Sequence, residues 1–114
     1  MVWASVVDHN GFAKERPCLI LTPTERIRKG EPLLVMAVTT TFANPPPRWH
    51  VPLPWNPDPR RVRTRLGQRS AAVVNWVDVV RPEDVLDVKG DVPVSVMREI
   101  ERQLATWADV HGRS

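Results

Sequence analysis

An arginine at the start of a predicted buried strand is the clearest chemical feature of this sequence. Arg16 precedes Pro17, and proline disfavours helical backbone in the residue before it. The unbroken apolar run 18–21 then favours a strand that is buried on both faces. A guanidinium held at the mouth of such a strand can bind a phosphate through paired hydrogen bonds. An ion pair with Glu15 or Asp8 is the alternative interpretation of Arg16.

A second basic feature is the stretch 60–69, in which arginine recurs at nearly every second position. If the stretch is extended, its charges line one face and form a phosphate-facing ribbon. A solvated strand edge that is protected against aggregation explains the same pattern. The formal net charge of +3 and the pI near 9.8 are compatible with a nucleic-acid or acidic protein partner. A GC-rich genome would also give this arginine-rich, lysine-poor composition.

Four strands and a terminal helix are expected to position these groups. The predicted strands are 3–7, 18–21, 33–40 and 71–80, the last of them bent near Asn75. Prolines in the segment 43–59 leave only a polyproline-like arm or an edge strand over 49–53, and a short strand over 84–88 precedes a Lys89-Gly90 turn. Asp91 is the expected N-cap of an amphipathic helix that has Pro93 near its first turn and runs through Val110.

Strands followed by one helix, without βαβ alternation, indicate a mainly β protein. We expect a small antiparallel barrel or curled sheet that is capped by the C-terminal helix. The length of 114 residues fits one domain over residues 1–110, with residues 111–114 as a frayed tail.

The composition also narrows the class of protein. The single cysteine, Cys18, cannot form an intrachain disulfide, which favours a reducing compartment such as the cytoplasm. No apolar stretch is long enough for a membrane span, and the first residues do not have the pattern of a signal peptide. No His, Cys or Asp cluster has metal-ligand spacing and no Gly-rich loop suggests a nucleotide, so we expect neither a metal nor a cofactor.

Several short motifs, in this order, resemble the MazF/PemK family of toxins from type II toxin–antitoxin systems. The segment 14–17 (KERP) resembles the family's Arg-Pro signature, and 38–40 (VTT) resembles its hydrophobic-Thr-Ser/Thr signature. The segment 67–70 leads into a strand, and the turn at 90–92 leads into the last helix, as in the family. The resemblance covers about residues 6–104.

The resemblance implies a CcdB/PemK-like, SH3-like barrel that is usually a homodimer. It further implies a metal-independent endoribonuclease that cuts single-stranded RNA and is silenced by a cognate antitoxin. Such cleavage needs a base for the 2′-hydroxyl, a cation for the phosphorane and a proton donor for the leaving 5′-oxygen. The resemblance assigns catalytic roles to Arg16 and Thr39, although Thr40 or Thr41 could share the hydroxyl role and β-propensity alone explains a threonine there.

The general base is the least defined element of this expected site. His9, in the turn before the Arg16 strand, is the first candidate and His50 is the second. Among the aromatic residues, Trp49, Trp55 and Trp76 could stack unpaired bases, whereas Trp3, Trp76 and Trp107 are also explained as core or dimer contacts. The expected RNA-binding residues are Lys14, Thr40, Arg48, Trp49, Arg60, Arg61, Arg63 and Arg65.

Two other functions fit the same expected barrel. One is a CcdB-like topoisomerase poison without chemistry of its own, and the other is a catalytically inactive barrel that acts as a binding module. The absence of the family's basic-Gly-Asp opening favours the inactive barrel. For the toxin, we expect an acidic and partly disordered antitoxin segment to cover the basic groove between Arg48 and Arg69.

Overall fold

The fold is known from a computed structural model that describes residues 2–7 and 15–111. Within those ranges the chain forms six strands, two α-helices and two single 3-10 turns. In chain order these are β1 (Val2–Val7), β2 (Glu15–Ile20), α1 (Thr24–Arg28), β3 (Leu33–Thr39), β4 (His50–Leu53), a 3-10 turn (Pro59–Arg61), β5 (Ser70–Val80), a second 3-10 turn (Pro82–Asp84), β6 (Val85–Asp91) and α2 (Val94–His111).

The strands form one sheet in the order β4-β5-β3-β2-β1-β6, and every neighbouring pair is antiparallel. The segment after β4 returns to the far edge of the sheet, where the Asp91 N–H donates to the Arg63 carbonyl at 2.8 Å. The predicted mainly antiparallel fold with a C-terminal helix is confirmed. Of the two alternatives for the proline-rich segment, the edge strand is the one present, as β4. It tolerates Pro52 because an edge strand can lack one N–H donor.

The central strands β2 and β3 are buried on both faces, which explains their continuous apolar runs. Leu19 and Met36 belong to a core beneath α2, whereas their neighbours Ile20 and Val35 belong to a second cluster. Successive strand residues point to opposite faces, so the two clusters lie on opposite sides of the sheet. We call them the helix face and the outer face. The helix-face core contains Leu19, Met36, Val38, Val51, Leu53, Leu66, Ala72, Val74, Val92, Met97 and Ile100.

The bend predicted in β5 is present. The β3–β5 register shifts between Met36 and Val38, whose partners in β5 are Val77 and Ala72. Two residue steps along β3 therefore correspond to five residue steps along β5. The β5 residues between these two pairs have no partner on β3 and form a bulge around Asn75.

Two boundaries differ from the predictions, both near the last helix. β6 runs through Gly90 to Asp91, so the expected Lys89-Gly90 turn is wrong, and Gly90 instead adopts a φ of 64° within the strand. Asp91 is consequently not the N-cap. The Pro93 carbonyl accepts the first helical hydrogen bond, from the Met97 N–H at 3.0 Å.

Two further elements depart from the sequence interpretation. The short helix α1 was not predicted, because its charged residues gave no apolar period. α2 extends to His111, whose ring stacks on Trp107 at 5.2 Å between centroids, while the rest of the expected tail lies outside the described residues. In the part of the chain that the structure describes, no helix is both long and apolar enough to cross a membrane.

Candidate active site

The strand register directs positions 16 and 39 toward the same end of the sheet. β2 and β3 pair Cys18 with Ala37 and Ile20 with Val35, so paired residue numbers always sum to 55, and the paired stretch ends at Cys18 and Ala37. Two more steps of the same register would set position 16 opposite position 39. Directly opposite residues share a face and have Cβ atoms roughly 5 Å apart. The direction of pairing thus favours a shared site for the two positions.

Both positions are also tied to the strands on either side. Arg16 pairs with Val6 of β1, and Thr39 pairs with Ala71 of β5, which in turn pairs with Pro52 of β4. With the β2–β3 register extended to positions 16 and 39, these residues would form one row across five strands, which we call the Thr39 row. A rigid sheet is a precise support for a site, because each position is fixed by hydrogen-bonded neighbours.

The Thr39 hydroxyl is held by the chain that follows β3. Its Oγ1 accepts from the Thr41 N–H at 3.1 Å and lies 3.2 Å from the Thr41 carbonyl, to which its O–H donates. Thr39 is half-buried, while Thr40 and Thr41 are exposed. Since a hydroxyl proton can rotate, the O–H can leave the long bond to Thr41 and donate to a phosphoryl oxygen instead.

Of the two candidate general bases, the structure describes only His50. His9, like Lys14 among the expected RNA-binding residues, lies outside the described residues. His50 is half-buried at the start of β4, where it lines a cavity together with Gln103 and Thr106 of α2. Its Nδ1 lies 3.1 Å from the Arg48 carbonyl. β4 is two strands from β3, about 10 Å across the sheet, so His50 is beyond hydrogen-bonding reach of Thr39.

Arg48 and Trp49 lie in the turn before β4, next to α2. The Arg48 guanidinium lies 4.4 Å from the centre of the Trp49 ring, and that ring packs against the helix-face core and edge-on to His111. Both residues line a cavity of about 330 Å³ that is bounded by α2, including Arg102. The structure therefore does not place Arg48 and Trp49 beside the Thr39 row.

The electrostatics of this helix-side cavity are set by an ion pair on α2. Arg102 Nε donates to Glu99 Oε2 at 2.9 Å, and Gln103 Nε2 donates to Glu99 Oε1 at 2.9 Å. The hydrogen bond from Arg102, followed by that from Gln103, lowers the pKa of Glu99 from 4.5 to about 2. The same contact raises the pKa of Arg102. Of the two arginines that line this cavity, Arg48 is therefore the one without a carboxylate partner among the residues that the structure describes.

The arginine stretch is not the extended ribbon that the sequence suggested. Arg60 and Arg61 lie in the 3-10 turn, where both guanidinium groups pair with Asp58 at 3.1 and 3.5 Å. Arg65 has a φ of 61° and donates to the Arg60 carbonyl at 2.8 Å. The prediction of a ribbon is wrong because Asp58 and the adjoining proline start a turn, and a positive φ breaks the extended backbone.

Arg63 also lies away from the Thr39 row. Its Nη2 is 3.8 Å from Asp91 Oδ2, and Asp91 pairs with Val2, four residues along β1 from the partner of Arg16. Four residues of strand span about 13 Å. Arg63 is 77% exposed, as Arg60 and Arg61 are largely exposed, so these charges remain accessible to a partner.

A cavity beside the Thr39 row was missed by the sequence interpretation. It has a volume of about 290 Å³ and is lined by Phe42, Asn44, Pro52, Trp55 and Arg69 among others. The Arg69 guanidinium lies 3.7 Å from the centre of the Phe42 ring and donates to the Phe42 carbonyl at 2.8 Å. Trp55 was noted in the sequence as a stacking residue. Its grouping with Phe42 and Arg69 depends on a loop fold that no local pattern encodes.

Metal-ligating side chains do not cluster near this site. In residues 2–7 and 15–111, no group of three or more His, Cys, Asp or Glu residues is arranged to hold a metal ion.

Known structures share this architecture over nearly the whole chain. An endoribonuclease in complex with its cognate antitoxin from a mycobacterial species superposes with a TM-score of 0.69 at 19% identity, covering 92% of this chain and 88% of that one. The Mycobacterium tuberculosis toxin MazF-mt6 gives 0.66 at 21% identity, with 93% and 96% covered. The MazE-MazF complex from Deinococcus radiodurans gives 0.68 at 18% identity, with 99% and 92% covered.

Sequence comparison agrees with this structural similarity. A search of curated proteins found no significant match. A family profile described as PemK-like, MazF-like toxin of type II toxin-antitoxin system, however, matches residues 1–108. The match covers nearly the entire chain and includes the strands that carry Arg16 and Thr39. The chain therefore belongs to the PemK-like, MazF-like toxin family of type II toxin–antitoxin systems.

Proposed function

We propose that this protein is an endoribonuclease toxin that cuts single-stranded RNA without a metal ion. The observation that supports the proposal is the β2–β3 register, which pairs Cys18 with Ala37 and which, extended by two residues, would make positions 16 and 39 neighbours at one end of the sheet. A cation and a hydroxyl donor in adjacent positions can bind two oxygens of the same phosphodiester. Membership of the toxin family supports the assignment of RNA as the substrate.

The reaction is an attack of a ribose 2′-oxygen on the adjacent phosphorus. The 2′-hydroxyl gives its proton to a general base, the new P–O2′ bond forms, and the P–O5′ bond breaks as the 5′-oxygen takes up a proton. The products are a 2′,3′-cyclic phosphate and a free 5′-hydroxyl. Arg16 neutralises the charge that grows on the phosphorane, and this interaction is stronger in the transition state than in the ground state.

Thr39 acts as the second donor in this scheme. Its O–H turns from the Thr41 carbonyl, where the bond is a long 3.2 Å, to a phosphoryl oxygen or the leaving oxygen. The Thr41 N–H continues to hold Oγ1 at 3.1 Å during this exchange. His9 remains the first proposal for the general base, with His50 the alternative.

The same family membership supports a partner that neutralises the toxin. One similar structure is an endoribonuclease with its cognate antitoxin and another is a MazE-MazF complex. We expect an acidic antitoxin segment to contact the exposed arginines at positions 60, 61 and 63, which project from the loop after β4. Reversing the charges of Arg60 and Arg61 should weaken that complex and reduce its salt dependence. A complex unaffected by both salt and charge reversal would contradict this placement.

The proposed setting of the toxin is a homodimer in the cytoplasm. Light scattering coupled to size-exclusion chromatography tests the oligomeric state, and a mass of one chain at assay concentration would refute the dimer.

Mapping of RNA ends tests the proposed chemistry. The purified protein is incubated with a long, varied RNA in a chelator, and the 3′ ends are probed for a 2′,3′-cyclic phosphate. We expect cleavage that is unaffected by the chelator and is lost in Arg16→Ala. Intact RNA across varied sequences would refute the proposal. Relaxed DNA accumulating in cells that express the protein, with RNA intact, would indicate a topoisomerase poison instead.

A further inference from the structure

The cavity beside the Thr39 row has the side chains of a binding site for an unpaired nucleobase. Trp55 leaves 45% of its surface exposed at the rim, which the packing of the core does not explain. Aromatic faces of this kind stack bases in proteins that bind single-stranded nucleic acids. Pro52, an exposed residue of the Thr39 row, lines the same cavity.

Another part of the cavity lining carries a positive charge that is held by several contacts. The Arg69 guanidinium is stacked 3.7 Å from the Phe42 ring centre and is fixed by bonds to the carbonyls of Phe42 at 2.8 Å and Ala43 at 3.1 Å. A planar cation that is held in this way presents its face and charge without losing further side-chain entropy. It suits a ligand that is both aromatic and attached to phosphate.

Asn44 supplies a group that can read the edge of a base. Its side chain is exposed in the cavity wall and forms no hydrogen bond within the part of the chain described by the structure. The side-chain amide has a carbonyl oxygen that accepts hydrogen bonds and an NH₂ group that donates two. It can therefore pair with the adjacent donor and acceptor atoms on the edge of a base.

Position along the sheet links the cavity to the cleavage site. Pro52 and Thr39 both pair with Ala71, one on each side of β5, so they lie about 10 Å apart on the outer face. We propose that the cavity binds one base of the RNA, within two nucleotides of the bond that is cut, and that Trp55 stacks on this base while Asn44 selects it. This inference rests on the proposed ribonuclease function for the identity of the ligand.

Binding to a set of abasic oligonucleotides tests the proposal. The probe is a fluorescent single-stranded RNA with a single 2′-deoxy nucleotide at the mapped cut, or the unmodified RNA if the protein cuts none. One base is removed at a time. Base–aromatic stacking contributes about 1–3 kcal/mol, so wild-type binding should weaken about 5- to 150-fold when the stacked base is missing.

The Trp55→Ala variant should bind the complete RNA about 5- to 150-fold more weakly and lose no further affinity at that one abasic position. Trp55→Phe should restore most of the dependence, since a phenyl ring also stacks. Leu86 is a control, because it is also a large hydrophobic residue that is 54% exposed, but it does not line the cavity. Leu86→Ala should keep the wild-type dependence on the abasic position.

The outcomes separate this inference from the proposed function. One outcome is that the wild-type protein cuts RNA but Trp55→Ala and base removal weaken RNA binding independently, so that their fold-changes multiply at every abasic position. That outcome refutes the base site and leaves the proposed ribonuclease function standing. If the protein binds no RNA, the base site is refuted as well. Asn44→Ala should relax the base preference at the same position, and an unchanged preference would refute its selecting role.

Discussion

Replacement of Thr39 by alanine should separate the chemistry of the site from the stability of the fold. The variant removes one hydroxyl from the end of β3 and leaves the backbone pairing with Ala71 intact. If the hydroxyl donates to the phosphorane, its loss resembles the loss of one oxyanion donor, which lowers kcat by about 10²- to 10³-fold, or about 3–4 kcal/mol. We therefore expect kcat/KM for RNA cleavage to fall by at least about 100-fold.

The effect on stability should be much smaller. The variant loses two long hydrogen bonds to Thr41, at 3.1 and 3.2 Å, on a half-buried side chain. Bonds of this kind contribute about 0.5–1 kcal/mol each, and the change of β-propensity adds less than about 1 kcal/mol. The free energy of unfolding should thus fall by about 1–2 kcal/mol, and the protein should remain folded at assay temperature.

The assay compares single-turnover cleavage of a labelled RNA with urea unfolding of the same samples. Thr39→Ser keeps the hydroxyl and should retain activity within about tenfold of the wild-type rate, since only a methyl group is removed. Thr106→Ala is a matched control, because it removes a hydroxyl that also bonds to backbone, at 3.0 Å, but on α2. Cleavage by Thr39→Ala within tenfold of the wild type, or a loss equal to that of Thr106→Ala, would refute the role of Thr39.

Two further predictions concern the stability of the fold. Gly90→Ala should lower the free energy of unfolding by more than about 2 kcal/mol, because φ is 64° and a Cβ would collide with the backbone of Arg63. Gly30→Ala is the control: φ is 73° but the space around it is open, so it should lower the free energy of unfolding by only about 1 kcal/mol. Equal losses of the two variants in urea unfolding would contradict this packing. The low pKa of Glu99 implies that its bond to Arg102 adds stability above pH 4.5, and that this stability is lost as the pH falls toward 2. The difference in Tm between the wild type and Glu99→Gln should therefore shrink as the pH falls over that range. A constant difference in Tm would contradict this role of Glu99.

The sequence was sufficient to predict the strands and the last helix, because each has a distinct local pattern. β2 and β3 are apolar runs bounded by Pro17, Pro32 and polar residues, and both proved to be buried on two faces. The helix carries its apolar residues at the expected spacing over Met97 and Ile100. These are the signals that depend least on distant contacts.

Local sequence patterns do not predict the strand register or the structure of the loops. Nothing local in the sequence sets the register that pairs Cys18 with Ala37, since that register depends on the length of the connection between β2 and β3. The stretch 60–69 was misjudged because Thr64 turns inward and donates to the Pro54 carbonyl at 2.6 Å, a tertiary bond that folds the arginines into a turn. The cavity beside the Thr39 row depends in the same way on a tertiary hydrogen bond, which Arg69 donates to the carbonyl of Phe42.

A double-mutant cycle between Arg16 and Thr39 tests the central claim most directly. Cleavage rates are measured for wild type, Arg16→Ala, Thr39→Ala and the variant with both changes, each shown to be folded. If the two side chains act on one phosphodiester, the double variant should be about as impaired as the more impaired single variant, because groups that act as a unit are not additive. Losses that multiply in the double variant would show that the two residues act independently and would contradict a shared site.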